Sequence, residues 1–117
     1  MKKRSEARVK KSLLVDISKN GLEQMGVTVN ISRRGMCIAT TEVFRRRTRL
    51  QILIAAADEI YVVTGKVVWH VKKSGLHGEN VPAGLGIRIE RASPGYFKYI
   101  ASARKGSLRE SKRRLAH

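Results

Sequence analysis

Acidic side chains, cysteine and aromatic rings are all scarce in this sequence. Nine Asp and Glu stand against 25 Lys and Arg, Cys37 is the only cysteine, and the rings amount to one Trp, three Tyr and two Phe. A single cysteine excludes an internal disulfide. His70 and His77 have no second cysteine or acidic residue at ligand spacing, so no metal site is expected. No carboxylate pair, Ser/His/Asp set or Walker loop stands out, and catalysis is therefore not expected. No apolar run approaches the ~20 residues that a bilayer-spanning helix needs, so no membrane span is expected. The basic start Met1-Lys2-Lys3-Arg4 is not followed by an apolar stretch of signal-peptide length. These absences together point to a reducing, cytoplasmic compartment.

What is present in excess is positive charge, and its distribution matters more than the total of +16. Residues 1–11 hold six basic residues and one acidic, and residues 104–117 again hold six and one, so each end carries +5 and the body only +6. Such tails attract any polyanion and by themselves name no partner. Length and hydrophobic fraction suit one modest core. The expected organisation is a flexible basic arm over 1–11, a body over 12–105 and a basic tail over 106–117.

The body reads as strands. Leu13, Val15 and Ile17 alternate with Leu14, Asp16 and Ser18, and Asn20-Gly21 then supplies the two positive φ angles of a type I′ hairpin. The return strand ends at Asn30. Met36 and Ile38 open a third strand, the basic run Arg45-Arg46-Arg47 falls in a loop, and Leu50, Ile52 and Ile54 mark a fourth. Asp58-Glu59 turns into the longest β signal, 60–71, where Tyr61, Val63, Val67, Trp69 and Val71 share one face; Trp69 is read as core. After a loop over 73–83, Leu85, Ile87 and Ile89 form a last strand, with Gly84, Gly86, Arg88 and Glu90 pointing outward. Ser93-Pro94 has the chemistry of a helix start, Phe97, Ile100 and Ala101 give an apolar stripe, and Gly106 is the expected stop. Six antiparallel strands and one helix predict a small closed barrel, because closure hides the sheet edges. Cys37 is read as a small buried or half-buried hydrophobe.

The stretch Asn30-Ile31-Ser32-Arg33-Arg34-Gly35 invites a functional reading. Counting back along Val27, Val29 and Ile31 puts those residues on one face and Thr28, Asn30 and Ser32 on the opposite, outward one. Two hydrogen-bonding side chains then stand side by side, two arginines follow in a turn, and Gly35 closes it, either by a left-handed backbone or by letting another group come close. The result is a ledge suited to something polar, flat and anionic.

Two features, Arg4-Ser5-Glu6-Ala7-Arg8 ahead of the first strand and the Asn30–Gly35 hexad between the second and third, resemble the RxxxR and [D/N]xSxxG signature of the PilZ domain. The RxxxR spacing alone carries nothing, since it recurs at Arg45/Arg49 and Arg109/Arg113; order and context carry the likeness, which covers residues 4 to 103. The resemblance implies a six-stranded antiparallel β-barrel with a C-terminal helix that binds the bacterial second messenger cyclic di-GMP on its outer surface. It implies that Arg4 and Arg8 grip the ligand as the arm folds over it, that Asn30 bonds a guanine edge, that Ser32 binds guanine or phosphate, and that Gly35 keeps the turn tight. Arg33 and Arg34 are either phosphate contacts or solvated charges, and Arg88 is a weaker candidate. Lys3 holds the position before RxxxR that bears on whether one ligand or a stacked pair binds. Two departures from the pattern are Asn30, neutral where Asp is frequent, and Ile89, where an aromatic is common.

The chemistry agrees with the implied ligand, since arginine pairs bidentately with phosphate and with the O6/N7 edge of guanine. The expected function is a non-enzymatic receptor without cofactor that switches its arm on binding cyclic di-GMP, and so controls motility, biofilm or exopolysaccharide through a downstream protein, as a monomer or homodimer. The alternatives are a basic barrel binding single-stranded nucleic acid, which the scarcity of rings disfavours, and a protein-interaction module that has lost the ligand.

Overall fold

In the computed structural model, residues 8–41, 44–71 and 83–115 are described, with side chains through residue 104. Lys3, Arg4, His77 and most of the 73–83 loop lie outside the described residues. The described chain runs β1 (Val9–Lys10), β2 (Leu14–Lys19), β3 (Leu22–Ile31), β4 (Gly35–Thr40), β5 (Arg49–Ala56), β6 (Glu59–Val71), β7 (Gly84–Ala92) and α1 (Pro94–Leu115). All pairings are antiparallel. The order β3-β2-β5-β6-β7-β4 closes on itself through a β3–β4 pairing, giving the expected six-stranded barrel, and β1 pairs with Asn30 and Ile31 of β3 beyond the stretch that pairs with β2. Asn20 and Gly21 take φ values of 50° and 83°, the two left-handed positions of a type I′ turn.

Inward residues of every barrel strand form one core. Val15 and Ile17, Ile31, Met36 and Ile38, Leu50, Ile52 and Ile54, Val63 and Val67, and Leu85 and Ile87 are all buried. The basic run after β4 is held at the barrel wall, because Arg47 N–H donates to the Val67 carbonyl at 2.7 Å and Val67 N–H donates to the Thr48 carbonyl at 2.9 Å. These bonds continue the β5–β6 ladder one turn beyond Arg49.

The structure differs from the sequence reading in four places. First, β3 carries a bulge between Thr28 and Asn30, where one residue more is needed than on β4. An extra residue shifts the period-2 alternation by one. Before it Gly26 and Thr28 point inward while Val27 (40 % exposed) and Val29 (49 %) point out; after it Ile31 is inward. Thr28, expected outside, is 1 % exposed, and its hydroxyl accepts from Leu13 N–H at 2.8 Å and donates to the Lys11 carbonyl at 2.5 Å. Second, β6 carries a bulge between Val67 and Trp69. Trp69 is consequently rotated out of the core, 40 % exposed, and Val71 follows it.

Third, the basic arm is not free through Lys11: Val9 and Lys10 pair with Ile31 and Asn30, and Val9 is buried. One β-branched residue sitting over the barrel end is enough to anchor the arm's root. Fourth, α1 buries Tyr96 and Ile100 and half-buries Tyr99 and Ala103, whereas Phe97 and Ala101 are exposed. The i, i+4 pair is therefore set one residue earlier than Phe97. The helix also runs through Gly106, which costs only about 1 kcal/mol in a helix interior rich in Lys, Arg and Glu. The Ser93 hydroxyl accepts from Val62 N–H at 3.1 Å while its carbonyl accepts from Tyr96 N–H at 2.9 Å, so the helix start is stapled to β6.

Candidate ligand-binding site

The Ser32–Gly35 turn is fastened from three directions. Ser32 is 1 % exposed and does not stand on the outer face beside Asn30. The bulge at Val29 brings Ile31 inward, and Ser32 turns its hydroxyl back on its own loop, donating to the Gly35 carbonyl at 3.0 Å and accepting from Gly35 N–H at 3.1 Å. The Tyr96 hydroxyl of α1 donates to the Ser32 carbonyl at 2.7 Å, and Ile89 N–H of β7 donates to the Arg34 carbonyl at 2.7 Å. Gly35 is needed for close approach rather than for a left-handed backbone. A Cβ there would lie 2.7 Å from the Ile87 carbonyl oxygen. The turn thus lifts Arg33 and Arg34 into solvent, with the Arg33 guanidinium 5.7 Å from the centre of the Phe97 ring.

Beside this turn the outer wall is flat and apolar. Asn30, Cys37, Gly86 and Trp69 occupy one cross-strand row over β3, β4, β7 and β6. The Trp69 indole lies across Gly86 so closely that a Cβ at that position would be 2.0 Å from Nε1. Glycine here is what permits a large ring to lie flat on the wall. The neighbouring row is Val27, Ala39, Gly84 and Val71. Together Val29, Cys37, Ala39, Trp69, Val71 and Gly84 border an open hollow of about 240 Å³.

Polar groups stand at the edge of that wall. Asn30 is half-buried, and its Oδ1 is buried without a hydrogen-bond partner among the described residues. Arg8 is exposed, two residues before the Lys10–Asn30 pairing. Its charge reaches Cys37: burial raises the thiol above its ordinary pKa of 9.0, and Arg8 pulls it back in part. Arg8, Asn30 and Cys37 therefore come together, whereas Ser32 and Gly35 shape the turn from beneath, and Arg88 lies one row away as the cross-strand partner of Gly35. Trp69 and Cys37 were not singled out by sequence as surface residues. The Gly84-Leu85-Gly86 spacing was the available signal, because glycine inside a strand marks close approach.

A family model described as the PilZ domain matches residues 2–102. The chain belongs to the PilZ domain family. No curated protein gives a match. Among solved structures, the chain resembles the Bacillus subtilis inhibitor of motility MotI/DgrA (15 % identity, TM-score 0.74, 93 % of this chain and 53 % of that one). It resembles equally the PilZ domain of Escherichia coli YcgR with c-di-GMP (14 %, TM-score 0.70, 98 % of both) and YcgR in complex with c-di-GMP (13 %, TM-score 0.72, 97 % and 49 %). This PilZ chain thus spans about half the length of MotI and of that YcgR chain, and the likeness at such identity is one of fold. No described helix is long and apolar enough to cross a membrane, and the described residues hold no cluster of three or more His, Cys, Asp or Glu able to hold a metal.

The thiol gives a chemical probe of this wall. Because burial disfavours the thiolate, Cys37 is expected to react with iodoacetamide more slowly than a free cysteine at mildly alkaline pH, and Arg8→Ala, which removes the charge favouring the thiolate, is expected to slow it further. Rates followed by mass spectrometry across pH check both.

Proposed function

We propose that this PilZ domain is a non-enzymatic receptor for cyclic di-GMP. A guanine lies on the apolar wall by Trp69 and Cys37, and the phosphates face the arginines of the arm and turn. The observation that carries this reading is the Asn30 Oδ1, a buried acceptor without a donor among the described residues, on the cross-strand partner of Cys37, which lines the flat hollow and feels the charge of Arg8. Guanine offers N–H donors, a π-face for the wall and an O6/N7 edge for arginine forks. In this reading Arg4 and Arg8 clamp the ligand, Asn30 bonds its base, and Ser32 and Gly35 hold the turn that aims Arg33 and Arg34; Arg88 and Lys3 are secondary.

The arm is tethered at Val9, so ligand gripped by Arg4 and Arg8 draws the arm over itself from a fixed root. The arm closed on the ligand then presents a new surface to a downstream protein, a ligand-driven conformational switch. The control of motility named for the B. subtilis neighbour supports motility as the output, with biofilm or exopolysaccharide as further outlets in a cytoplasmic setting. Titration calorimetry at physiological salt is the test: cyclic di-GMP is expected to bind at micromolar affinity while GMP, with one phosphate and one base, binds at least tenfold more weakly. No heat from cyclic di-GMP at millimolar concentration would end this reading.

A further inference from the structure

One cross-strand row breaks a rule that sheets normally keep. Arg49 of β5 pairs with Lys66 of β6, Lys66 pairs with Arg88 of β7, and Arg88 pairs with Gly35 at the foot of the arginine turn. Three cations thus stand directly opposite one another on adjacent strands, with strand spacing of about 4.8 Å, where like charges destabilise the sheet. Glu90 of β7 reaches across β6 to pair with Arg49 at 3.2 Å, one carboxylate against the three cations of the row. Among the described residues no carboxylate pairs with Lys66 or Arg88. The pinned turn adds Arg46 and Arg47 beside Lys66, with Arg46 Nε donating to the Val68 carbonyl at 3.1 Å. Beyond the row, Lys19, Arg49, Gln51 and Thr64 border a polar hollow of about 490 Å³. An arrangement that costs stability and keeps a net positive charge among the described residues marks a site that an anionic group from elsewhere can complete.

We propose that this row is the docking site of an acidic segment of a partner protein, whose carboxylates complete the row and enter the polar hollow. One feature selects protein over nucleic acid: among the described residues no aromatic ring stands in the row to stack a base. The row lies two residues along the strands from the Asn30–Trp69 wall, roughly 7 Å away, so a partner held there touches whatever occupies that wall. The proposal itself stands on the barrel's charges and needs no dinucleotide.

The test uses the full chain without cyclic di-GMP and follows a fluorescein-labelled peptide of alternating Glu and Thr by anisotropy, with oligothymidylate and phosphatidylserine-containing vesicles as competing probes. Lys66→Gln is expected to weaken peptide binding about tenfold, Lys66→Arg to restore it, and Lys98→Gln, which removes an equal exposed charge from α1, to change it little. The unfolding temperature of Lys66→Gln is expected to stay level or rise, as repulsion is relieved. Equal losses from Lys98→Gln and Lys66→Gln would reduce the row to diffuse charge and overturn the proposal. A fall in unfolding temperature for Lys66→Gln, or a Lys66 dependence found only with the oligonucleotide or the vesicles, would overturn it as well.

Discussion

Replacing Tyr96 with alanine is expected to cost about 3–5 kcal/mol of stability. Tyr96 is fully buried and is the largest such side chain among the described residues. Its ring closes the barrel end against Ile100, and its hydroxyl carries the 2.7 Å bond to the Ser32 carbonyl. For a domain whose total stability lies in the range of about 5–15 kcal/mol, that loss brings the folded state near its limit. Tyr96→Phe separates the two contributions. It keeps the ring, withdraws one donor from a buried carbonyl and should cost about 1–3 kcal/mol. Thermal unfolding of both variants checks this order. Equal stability of Tyr96→Phe and the parent would mean that the helix does not fasten the ledge. Because the same hydroxyl fixes the turn that carries Arg33 and Arg34, Tyr96→Phe is expected also to weaken cyclic di-GMP binding.

Arg8→Ala is expected to weaken cyclic di-GMP binding by about ten- to a hundredfold without loss of fold. Arg8 is exposed and is not buried with Val9, so its removal leaves the arm's root in place. A hydrogen bond to a charged group is worth about 1.5–3 kcal/mol, and each 1.4 kcal/mol is a factor of ten in affinity. Lysine at this position should recover little of the loss, because a point charge lacks the planar fork that grips phosphate or guanine. Calorimetry gives the affinity, and the slowed alkylation of Cys37 confirms independently that the charge beside the wall is gone. Unchanged affinity in Arg8→Ala would remove the arm from the site.

The sequence by itself determined the architecture and the position of the ledge. Strand alternation, the Asn20-Gly21 turn and the Ser93-Pro94 junction are local signals written in neighbouring residues, and they sufficed for six strands, one helix and a closed barrel. The Asn30–Gly35 hexad was legible for the same reason, since its spacing belongs to one turn. Only the tertiary structure decided which way the side chains of the site face. A bulge inserts one residue against a partner strand, and nothing within β3 or β6 alone announces it, because the count that matters is taken across the pairing. At Val29 that extra residue sent Thr28 inward, and beyond it the turn drew Ser32 under itself; at Val68 it turned Trp69 from core to surface and laid it over Gly86. The cation row Arg49–Lys66–Arg88 likewise exists only in register, among residues 17 and 22 positions apart in the chain. Periodicity fixes the pattern along a strand, whereas the phase of that pattern relative to the core is set by its neighbours.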